Sequence, residues 1–244
     1  MTLDLGPCIE EYHNIRVQAI HDWLQAHRFP GLRDIIVGYS SVTVFYDPAV
    51  VRASGVAGAH GAAFWAEGLL IRGWEATGPG ASHAGVGAGP EGDGAARTIM
   101  SRTGRSFRIP VCYEAEYAPD LGEVARRQGL SPEEVVKLHC AGIYRVYMIG
   151  FLPGFPYLGT VDRRLEMPRK ARPVPVVAGG VGIAGQQTGI YPLNSPGGWS
   201  IIGRTPVRLF DPDITPPVLL QTGDRVEFYP ILPDEFRRLS GRPE

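Results

Sequence analysis

Neutral hydrogen-bonding side chains are concentrated among glycines in residues 180–191, which read GVGIAGQQTGIY. The amide of Gln187 and the hydroxyl groups of Thr188 and Tyr191 could orient a polar ligand or stabilise a developing oxyanion. The same groups could instead form hydrogen bonds within a turn. We therefore treat Gln187 as a candidate catalytic residue, and Thr188 and Tyr191 as candidate substrate-binding residues.

Two charged or titratable side chains are further candidates. Arg204, in the segment IIGRTP, could hold a carboxylate or phosphate in bidentate fashion, or could form an ordinary ion pair. His139 lies on the predicted last turn of a helix, where it could act in catalysis or serve only as a structural helix-end residue. Arg204 is thus a candidate for both catalysis and substrate binding, and His139 is a candidate for catalysis.

Aromatic side chains accompany glycine and proline in the segment MIGFLPGFPYLG. Glycine allows close approach of a ligand or another chain, and proline stiffens the backbone. Phe155 and Tyr157 could therefore wall a ligand site from a rigid loop, with Tyr191 and Trp199 displayed nearby. The alternative is that these rings fill the end of a barrel.

Several motifs that would identify a chemistry are missing or out of context. GVGIAG at residues 180–185 matches the dinucleotide pattern GxGxxG, but turn residues and prolines follow it instead of a helix. We interpret it as a glycine-rich turn whose backbone N–H groups could meet an anion. The sequence has no phosphate-binding GxxxxGK[ST] motif, no HExxH, no GxSxG and no Cys/His cluster, so we expect no metal site.

The first 77 residues predict a small α/β sandwich domain. A helical pattern runs from about residue 8 to 28, a strand pattern from 34 to 46, and a second helix is expected within 50–74. Residues 78–104 are rich in glycine and are expected to be a flexible linker that carries His83 as a solvated residue.

Residues 105–244 predict a domain that starts with a strand, continues with two helices and ends with many short strands. Asp120 is expected to cap a helix that ends at Gly129, and Ser131 with Glu134 forms a capping box for a helix ending near Cys140. Strands are expected at about 107–113, 143–149, 174–178, 182–184, 199–202, 207–210 and 225–229. Short strands joined by Gly/Pro turns predict a closed or nearly closed β-barrel, and hence an α+β protein of two domains.

Composition limits the partners. The net charge of −1 gives no reason to expect nucleic acid, and no apolar run is long enough to span a membrane. The three cysteines, Cys8, Cys112 and Cys140, show no disulfide or metal spacing, which is typical of a reducing compartment. We expect a cytoplasmic protein.

The back half of the chain resembles a known family. The segments LSPEEVVKLH, YRVYMIGFLPGFPYLGTVD, PRKARPVP, GGVGIAGQQTGIYPLNSPGGWSIIGRTPVRLFDP and LLQTGDRVEFYPI are similar to the B subunit of 5-oxoprolinase. That family includes the KipI kinase inhibitors and the allophanate hydrolase subunit 1 domains. The resemblance covers about residues 108–231 nearly without interruption, and it continues more weakly in FPGLRDIIVGYSSVTVFYDP.

The resemblance implies a cyclophilin-like barrel and a reaction shared with partner subunits. The implied reaction is the ATP-dependent opening of 5-oxo-L-proline to L-glutamate. The partners would be a KipA-like C subunit with a related barrel and an A subunit, with ATP bound at a shared site and this chain inactive alone. In this reading the aromatic residues wall the substrate ring, Gln187 and Thr188 bind its carbonyl, and Arg204 holds a carboxylate or phosphate.

Two alternatives remain open on the same resemblance. One is a KipI-type regulatory protein that inhibits a sensor histidine kinase. The other is an allophanate hydrolase or urea-processing subunit.

Overall fold

The computed structural model describes residues 1–7, 9–78 and 104–241, and the chain divides into two compact units, Met1–Thr103 and Gly104–Glu244. The predicted linker, residues 78–104, lies outside the described residues except for its two end residues, so nothing is described for His83. Cys8 also lies outside the described residues. The predicted domain boundaries therefore stay a prediction.

The first unit packs helices on a three-stranded antiparallel sheet with strand order β1-β3-β2. Its elements are β1 (Thr2–Asp4), α1 (Glu11–Ala26), β2 (Leu32–Val37), β3 (Ser41–Tyr46), α2 (Pro48–Ala53), a short 3₁₀ turn (Gly58–His60) and α3 (Ala62–Ala76). Apolar residues of α1, β3 and α3 form its core, among them Val17, Ile20, Val42, Val44 and Leu69.

Two predictions for this unit are wrong in detail. The single strand predicted at 34–46 is a hairpin, because Gly38 donates its N–H to the carbonyl oxygen of Ser41 at 2.7 Å and turns the chain. The single helix predicted within 50–74 is divided into α2 and α3. Asp47 caps α2 by accepting the N–H groups of Ala49 and Val50 at 3.0 and 3.3 Å.

The second unit is built around a closed barrel of seven strands. Its elements are β4 (Ser106–Cys112), α4 (Leu121–Gln128), α5 (Pro132–Ala141), β5 (Ile143–Ile149), β6 (Pro156–Gly159), a 3₁₀ turn (Arg163–Leu165), β7 (Val174–Val176), β8 (Gly180–Ala184), β9 (Gln187–Ile190), β10 (Ser195–Gly197), β11 (Ser200–Arg204), β12 (Arg225–Ile231) and α6 (Pro233–Leu239). The barrel order is β11-β4-β12-β5-β6-β9-β8, and β7 pairs with β10 as a separate ribbon. The predicted α+β class and barrel are confirmed.

The helices of this unit follow the sequence signals with one exception. The Ser131 capping box is present, and Gly129 ends α4 in the left-handed region. Asp120 precedes α4, but its side chain does not cap the helix, because other groups occupy its carboxylate. The short helix α6 was not predicted. Among the described residues, no helix is long and apolar enough to cross a bilayer.

The glycine-rich segment at 180–185 contains β8, which confirms the strand predicted at 182–184 and contradicts the interpretation of the whole segment as a turn. All five residues of β8 are buried, and they pair with β9 on one side and β11 on the other. A Cβ atom at Gly182 would lie 3.0 Å from Cβ of Trp199. Gly182 thus permits close packing against Trp199. A sequence pattern does not distinguish a glycine needed for packing from a glycine needed for a turn. The backbone N–H groups of the segment are not displayed to an anion.

The other differences concern neighbouring strands. Residues 156–159 and 187–190, expected as rigid loop and turn, form β6 and β9. Residues 207–210, expected as a strand, form only an isolated bridge between Phe210 and Val218.

Candidate functional site

The four aromatic residues singled out in the sequence, Phe155, Tyr157, Tyr191 and Trp199, line one cavity of about 460 Å³. Its lining residues are Phe151, Phe155, Tyr157, Pro168, Arg169, Pro173, Ala184, Gly185, Gln187, Tyr191, Pro196, Gly197, Gly198 and Trp199. We call it the aromatic cavity. Its volume is typical of small-molecule sites, which are mostly apolar with a few polar groups.

The aromatic walls are held by the barrel strands. Tyr157 lies on β6, Tyr191 follows β9, and Trp199 precedes β11. The ring of Phe155 lies 5.1 Å from that of Tyr191 and 5.4 Å from that of Trp199, at interplanar angles of 82° and 89°. These edge-to-face contacts are favourable beyond the area they bury, so the walls are preorganised.

Because Gly189 has no side chain, the rings of Phe155 and Trp199 can pack against its backbone. Gly189 lies in β9 opposite Tyr157, and a Cβ atom there would approach the Pro156 carbonyl oxygen to 2.8 Å, Trp199 to 2.9 Å and Phe155 to 3.0 Å. Any side chain at position 189 would therefore displace an aromatic ring or the backbone of β6.

Phe151 stands at the rim in a strained backbone conformation. Its φ is 67°, the one positive value at a non-glycine residue within the described ranges, and its side chain is 60% exposed. The ring contacts Phe155 and Tyr191 edge-on at centroid distances of 5.6 and 6.3 Å. Such strain persists where the surroundings enforce it, and it is concentrated at functional sites.

Two polar side chains complete the aromatic cavity. Gln187, at the start of β9, is half-buried, and Arg169 is exposed. Arg169 forms no ion pair within the described ranges. Burial raises the pKa of the hydroxyls of Tyr157 and Tyr191, and Arg169 opposes this shift at both. The cavity therefore offers neutral hydroxyls, one amide and one guanidinium.

Asp120 ties together two segments of the aromatic cavity wall. Its Oδ2 accepts a hydrogen bond from Nζ of Lys170 and another from the backbone N–H of Ile201, each at 2.6 Å. The backbone N–H of Lys170 also donates to the carbonyl oxygen of Gly198 at 2.7 Å. The residues beside Arg169 and Trp199 are thus held by one carboxylate.

His139 and Thr188, both predicted site residues, lie in the barrel interior and line neither the aromatic cavity nor the cavity around Arg204. Nε2 of His139 lies 3.0 Å from the Thr188 hydroxyl, and its Nδ1 lies 2.8 Å from the Tyr113 hydroxyl. The Thr188 hydroxyl donates to the Gly182 carbonyl oxygen at 3.0 Å. Nε2 must therefore carry the proton, and Nδ1 accepts from Tyr113.

Burial lowers the pKa of His139 to about 3. The imidazole is therefore neutral near pH 7, and it stacks on Phe228 at a centroid distance of 4.6 Å. A neutral imidazole has no charge with which to interact favourably with the carboxyl end of the helix. These contacts give His139 and Thr188 a supporting role beneath β9, without access to a ligand in the aromatic cavity.

Arg204 lies in a different cavity from the predicted aromatic residues. Its Nε donates to the carbonyl oxygen of Ala178 at 2.9 Å, and its guanidinium lies 5.6 Å from the ring centroid of Phe236. The structure therefore brings together Phe155, Tyr157, Gln187 and Tyr191, and places Arg204 elsewhere.

Sequence reasoning did not assign three residues of the aromatic cavity. Trp199 was expected only as an aromatic residue near the loop, and no role was expected for Phe151 or Arg169. The segment PRKARP carried the available signal, since prolines flank its basic residues and stiffen the segment that presents Arg169.

The described residues hold neither a metal-binding cluster nor a phosphate-binding loop at the glycine-rich segment. No group of three or more His, Cys, Asp or Glu side chains within them is arranged to hold a metal. The glycine-rich segment that formally resembles a nucleotide motif is the buried strand β8.

Known proteins resemble the chain over most of its length. The family of carboxyltransferase domains, subdomains C and D, matches residues 1–72 and 91–220. The 5-oxoprolinase B subunit of Bacillus subtilis is 38% identical over 247 aligned residues, covering 97% of this chain and 91% of the relative. The 5-oxoprolinase B subunit of Haemophilus influenzae is 52% identical over 126 residues, covering 51% of this chain and 59% of that protein.

Solved structures share the fold. A conserved uncharacterized protein from Pyrococcus horikoshii is 37% identical with a TM-score of 0.53, and the match covers 96% of this chain and 95% of that one. The Kluyveromyces lactis urea amidolyase matches 97% of this chain with a TM-score of 0.69, at 17% identity and over 14% of its own length. The second likeness concerns the fold alone. From its carboxyltransferase-domain match and its near full-length similarity to the Bacillus protein, the chain belongs to the family of 5-oxoprolinase B subunits.

Proposed function

We propose that this chain is the B subunit of an ATP-dependent 5-oxoprolinase and that the aromatic cavity binds 5-oxo-L-proline. The observation that carries the proposal is the meeting of aromatic rings, the Gln187 amide and the Arg169 guanidinium in one cavity of about 460 Å³. The near full-length similarity to a protein named as the B subunit of 5-oxoprolinase supports it.

The chemical features of 5-oxoproline match those of the aromatic cavity. The substrate has a small ring with an amide and a carboxylate. The ring would pack against the exposed part of Tyr157 or Trp199, which contact each other edge-on with their centroids 5.8 Å apart. Gln187 would hydrogen-bond the lactam amide, and Arg169 would pair with the carboxylate. Arg169 takes the role first expected of Arg204.

ATP would bind largely outside this chain. The described residues offer no phosphate-binding loop, so we derive no step of phosphate chemistry from them. The proposal therefore requires two partners, namely a C subunit with a related barrel and an A subunit. It predicts that this chain is inactive without them, and it places the complex in the cytoplasm. In the complex this chain would position the substrate and exclude water around its ring.

The test uses the chain reconstituted with its candidate partner subunits and follows 5-oxoproline-dependent ADP release. Gln187→Ala is expected to raise KM by about tenfold, because a buried hydrogen bond to the amide is lost. Gln186→Ala is the matched control, since Gln186 is the adjacent residue, is exposed and does not line the aromatic cavity. Equal KM values for the two variants would remove Gln187 from the site.

The same preparations test the alternatives. Allophanate- or urea-dependent turnover without 5-oxoproline turnover would favour a urea-processing role. Inhibition of histidine kinase autophosphorylation by the purified chain, with no turnover in the complex, would favour the regulatory protein.

A further inference from the structure

A second cavity, of about 640 Å³, surrounds Arg204. It is formed by the residues before β8, the turn after β9, the segment that follows β11, and α6. Its lining residues are Ala178, Gly179, Pro192, Leu193, Arg204, Thr205, Pro206, Val207, Arg208, Phe210, Pro212, Phe236 and Ser240. None of these residues lines the aromatic cavity. We call it the arginine cavity.

The lining residues that the structure describes carry two positive charges and no carboxylate. Arg204 is oriented from two sides, by its hydrogen bond to the Ala178 carbonyl oxygen at 2.9 Å and by the Phe236 ring at 5.6 Å. Arg208 pairs with Asp211 at 2.8 Å, but its side chain is 67% exposed, so that pair is weak and can rearrange. A guanidinium whose direction is fixed loses little freedom on pairing with an anion.

The remaining walls of the arginine cavity are mostly apolar. Two hydroxyls also line it: Ser240 Oγ donates to the Phe236 carbonyl oxygen at 2.8 Å, and Thr205 Oγ1 accepts the N–H of Val207 at 3.2 Å. Leu193, Val207, Phe210 and Phe236 contribute side chains, and three prolines line it that have no backbone N–H to offer. Hydrogen bonds to a bare inorganic anion would therefore come chiefly from the guanidinium groups. A ligand that combines a carboxylate with an apolar body would use both the charge and the walls.

We propose that the arginine cavity is a second binding site, for a small monocarboxylic acid with an apolar body. The carboxylate pairs with the Arg204 guanidinium, assisted by Arg208, and the apolar part packs against Leu193 and Phe236. The site is separate from the proposed oxoproline site, and it holds whether or not the chain is part of an oxoprolinase.

The experiment measures binding of hexanoate, benzoate and inorganic phosphate to the full purified chain by calorimetry and ligand-observed NMR. The wild type is expected to bind the two organic acids saturably and phosphate much more weakly. Arg204→Gln is expected to weaken acid binding by about tenfold or more, and Arg208→Gln by a smaller factor, because charge-assisted hydrogen bonds are lost. Arg126→Gln is the matched control, since Arg126 pairs with Glu123 on α4, outside the cavity, and should leave affinity unchanged.

A second variant guards against a folding defect in Arg204→Gln. Leu193 is 37% exposed, so Leu193→Asp introduces a carboxylate at the cavity wall without removing a buried hydrogen bond, and it should abolish acid binding. Gln187→Ala should leave acid binding unchanged, which separates this site from the aromatic cavity. Absence of saturable binding to the wild type, binding unaffected in the folded Leu193→Asp variant, or phosphate binding as tight as hexanoate would each overturn the proposal.

Discussion

In the proposed oxoproline site, the exposed charge of Arg169 would select which ligand the aromatic cavity binds. Aromatic rings alone would accept many flat ligands, whereas a guanidinium beside them selects an anion. Arg169 is placed against Gly198, where a Cβ atom would lie 3.6 Å from its Nε. Its specificity therefore depends on the backbone that carries it as much as on its charge.

Replacing Arg169 should impair substrate binding more than turnover. In the reconstituted complex, Arg169→Gln is expected to raise KM for 5-oxoproline by about tenfold, because one charge-assisted pair is lost, and to change kcat little. Arg172→Gln is the control, because Arg172 is exposed in the same basic segment but does not line the aromatic cavity. Identical KM values in steady-state kinetics would show that Arg169 does not contact the substrate.

His139 should make the stability of the protein depend on pH. Its folded-state pKa of about 3 lies below the ordinary value of 6.5, so the unfolded state binds more protons between these values. The contribution is fully present above pH 6.5 and is lost as pH falls toward 3. Between pH 7 and 5 the free energy of unfolding should drop by about 2 kcal/mol from this residue.

The measurement compares the wild type with His139→Gln by urea unfolding at several pH values. Glutamine can replace both hydrogen bonds but does not titrate, so the variant should lose stability overall and show a flatter pH dependence. Parallel pH profiles for the two proteins would mean that His139 does not contribute this slope.

At the level of elements, β9 is the strand on which the aromatic cavity depends. It carries Gln187 and Gly189, and Thr188 connects it to His139 beneath. Gly189→Ala is expected to lower the free energy of unfolding by about 1–3 kcal/mol, because the added methyl group overpacks the rings. Near-ultraviolet circular dichroism should weaken as the rings move.

Gly122→Ala provides the matched control for that substitution. Gly122 lies in α4 with nothing within 4 Å of its would-be Cβ, so alanine there should be neutral or stabilising by up to about 1 kcal/mol. If both substitutions change stability and the aromatic signal equally, close packing at position 189 is not the cause.

At the level of the whole molecule, the barrel contains its own core. The cluster that includes Ile109, Val146, Ile183 and Val226 is drawn entirely from the second unit. A shortened chain of residues 104–244 is therefore expected to fold alone and to unfold cooperatively, as a domain with its own hydrophobic core can. Calorimetry showing no cooperative transition would contradict this, and the remaining chain, residues 1–103, gives the complementary measurement.

The sequence predicted those features that depend on local chemistry. The Ser131 capping box and the strand at 143–149 needed only neighbouring residues. A strand was expected at 182–184, yet the glycines of 180–185 and 189 were also interpreted as turn residues. The sequence does not show that these glycines make room for Trp199 and Phe155. Arg204 was grouped with the aromatic residues because sequence order does not show which side of a closed barrel a residue faces.

The bond network of Asp120 has a consequence for how this protein can evolve. One carboxylate satisfies both the ammonium of Lys170 and the amide of Ile201, 50 and 81 positions further along the chain. Without Asp120, the half-buried ammonium of Lys170 would have no counter-charge in this contact. Without Lys170, the carboxylate of Asp120 would keep only the N–H of Ile201. We therefore expect substitutions at positions 120 and 170 to occur together during evolution.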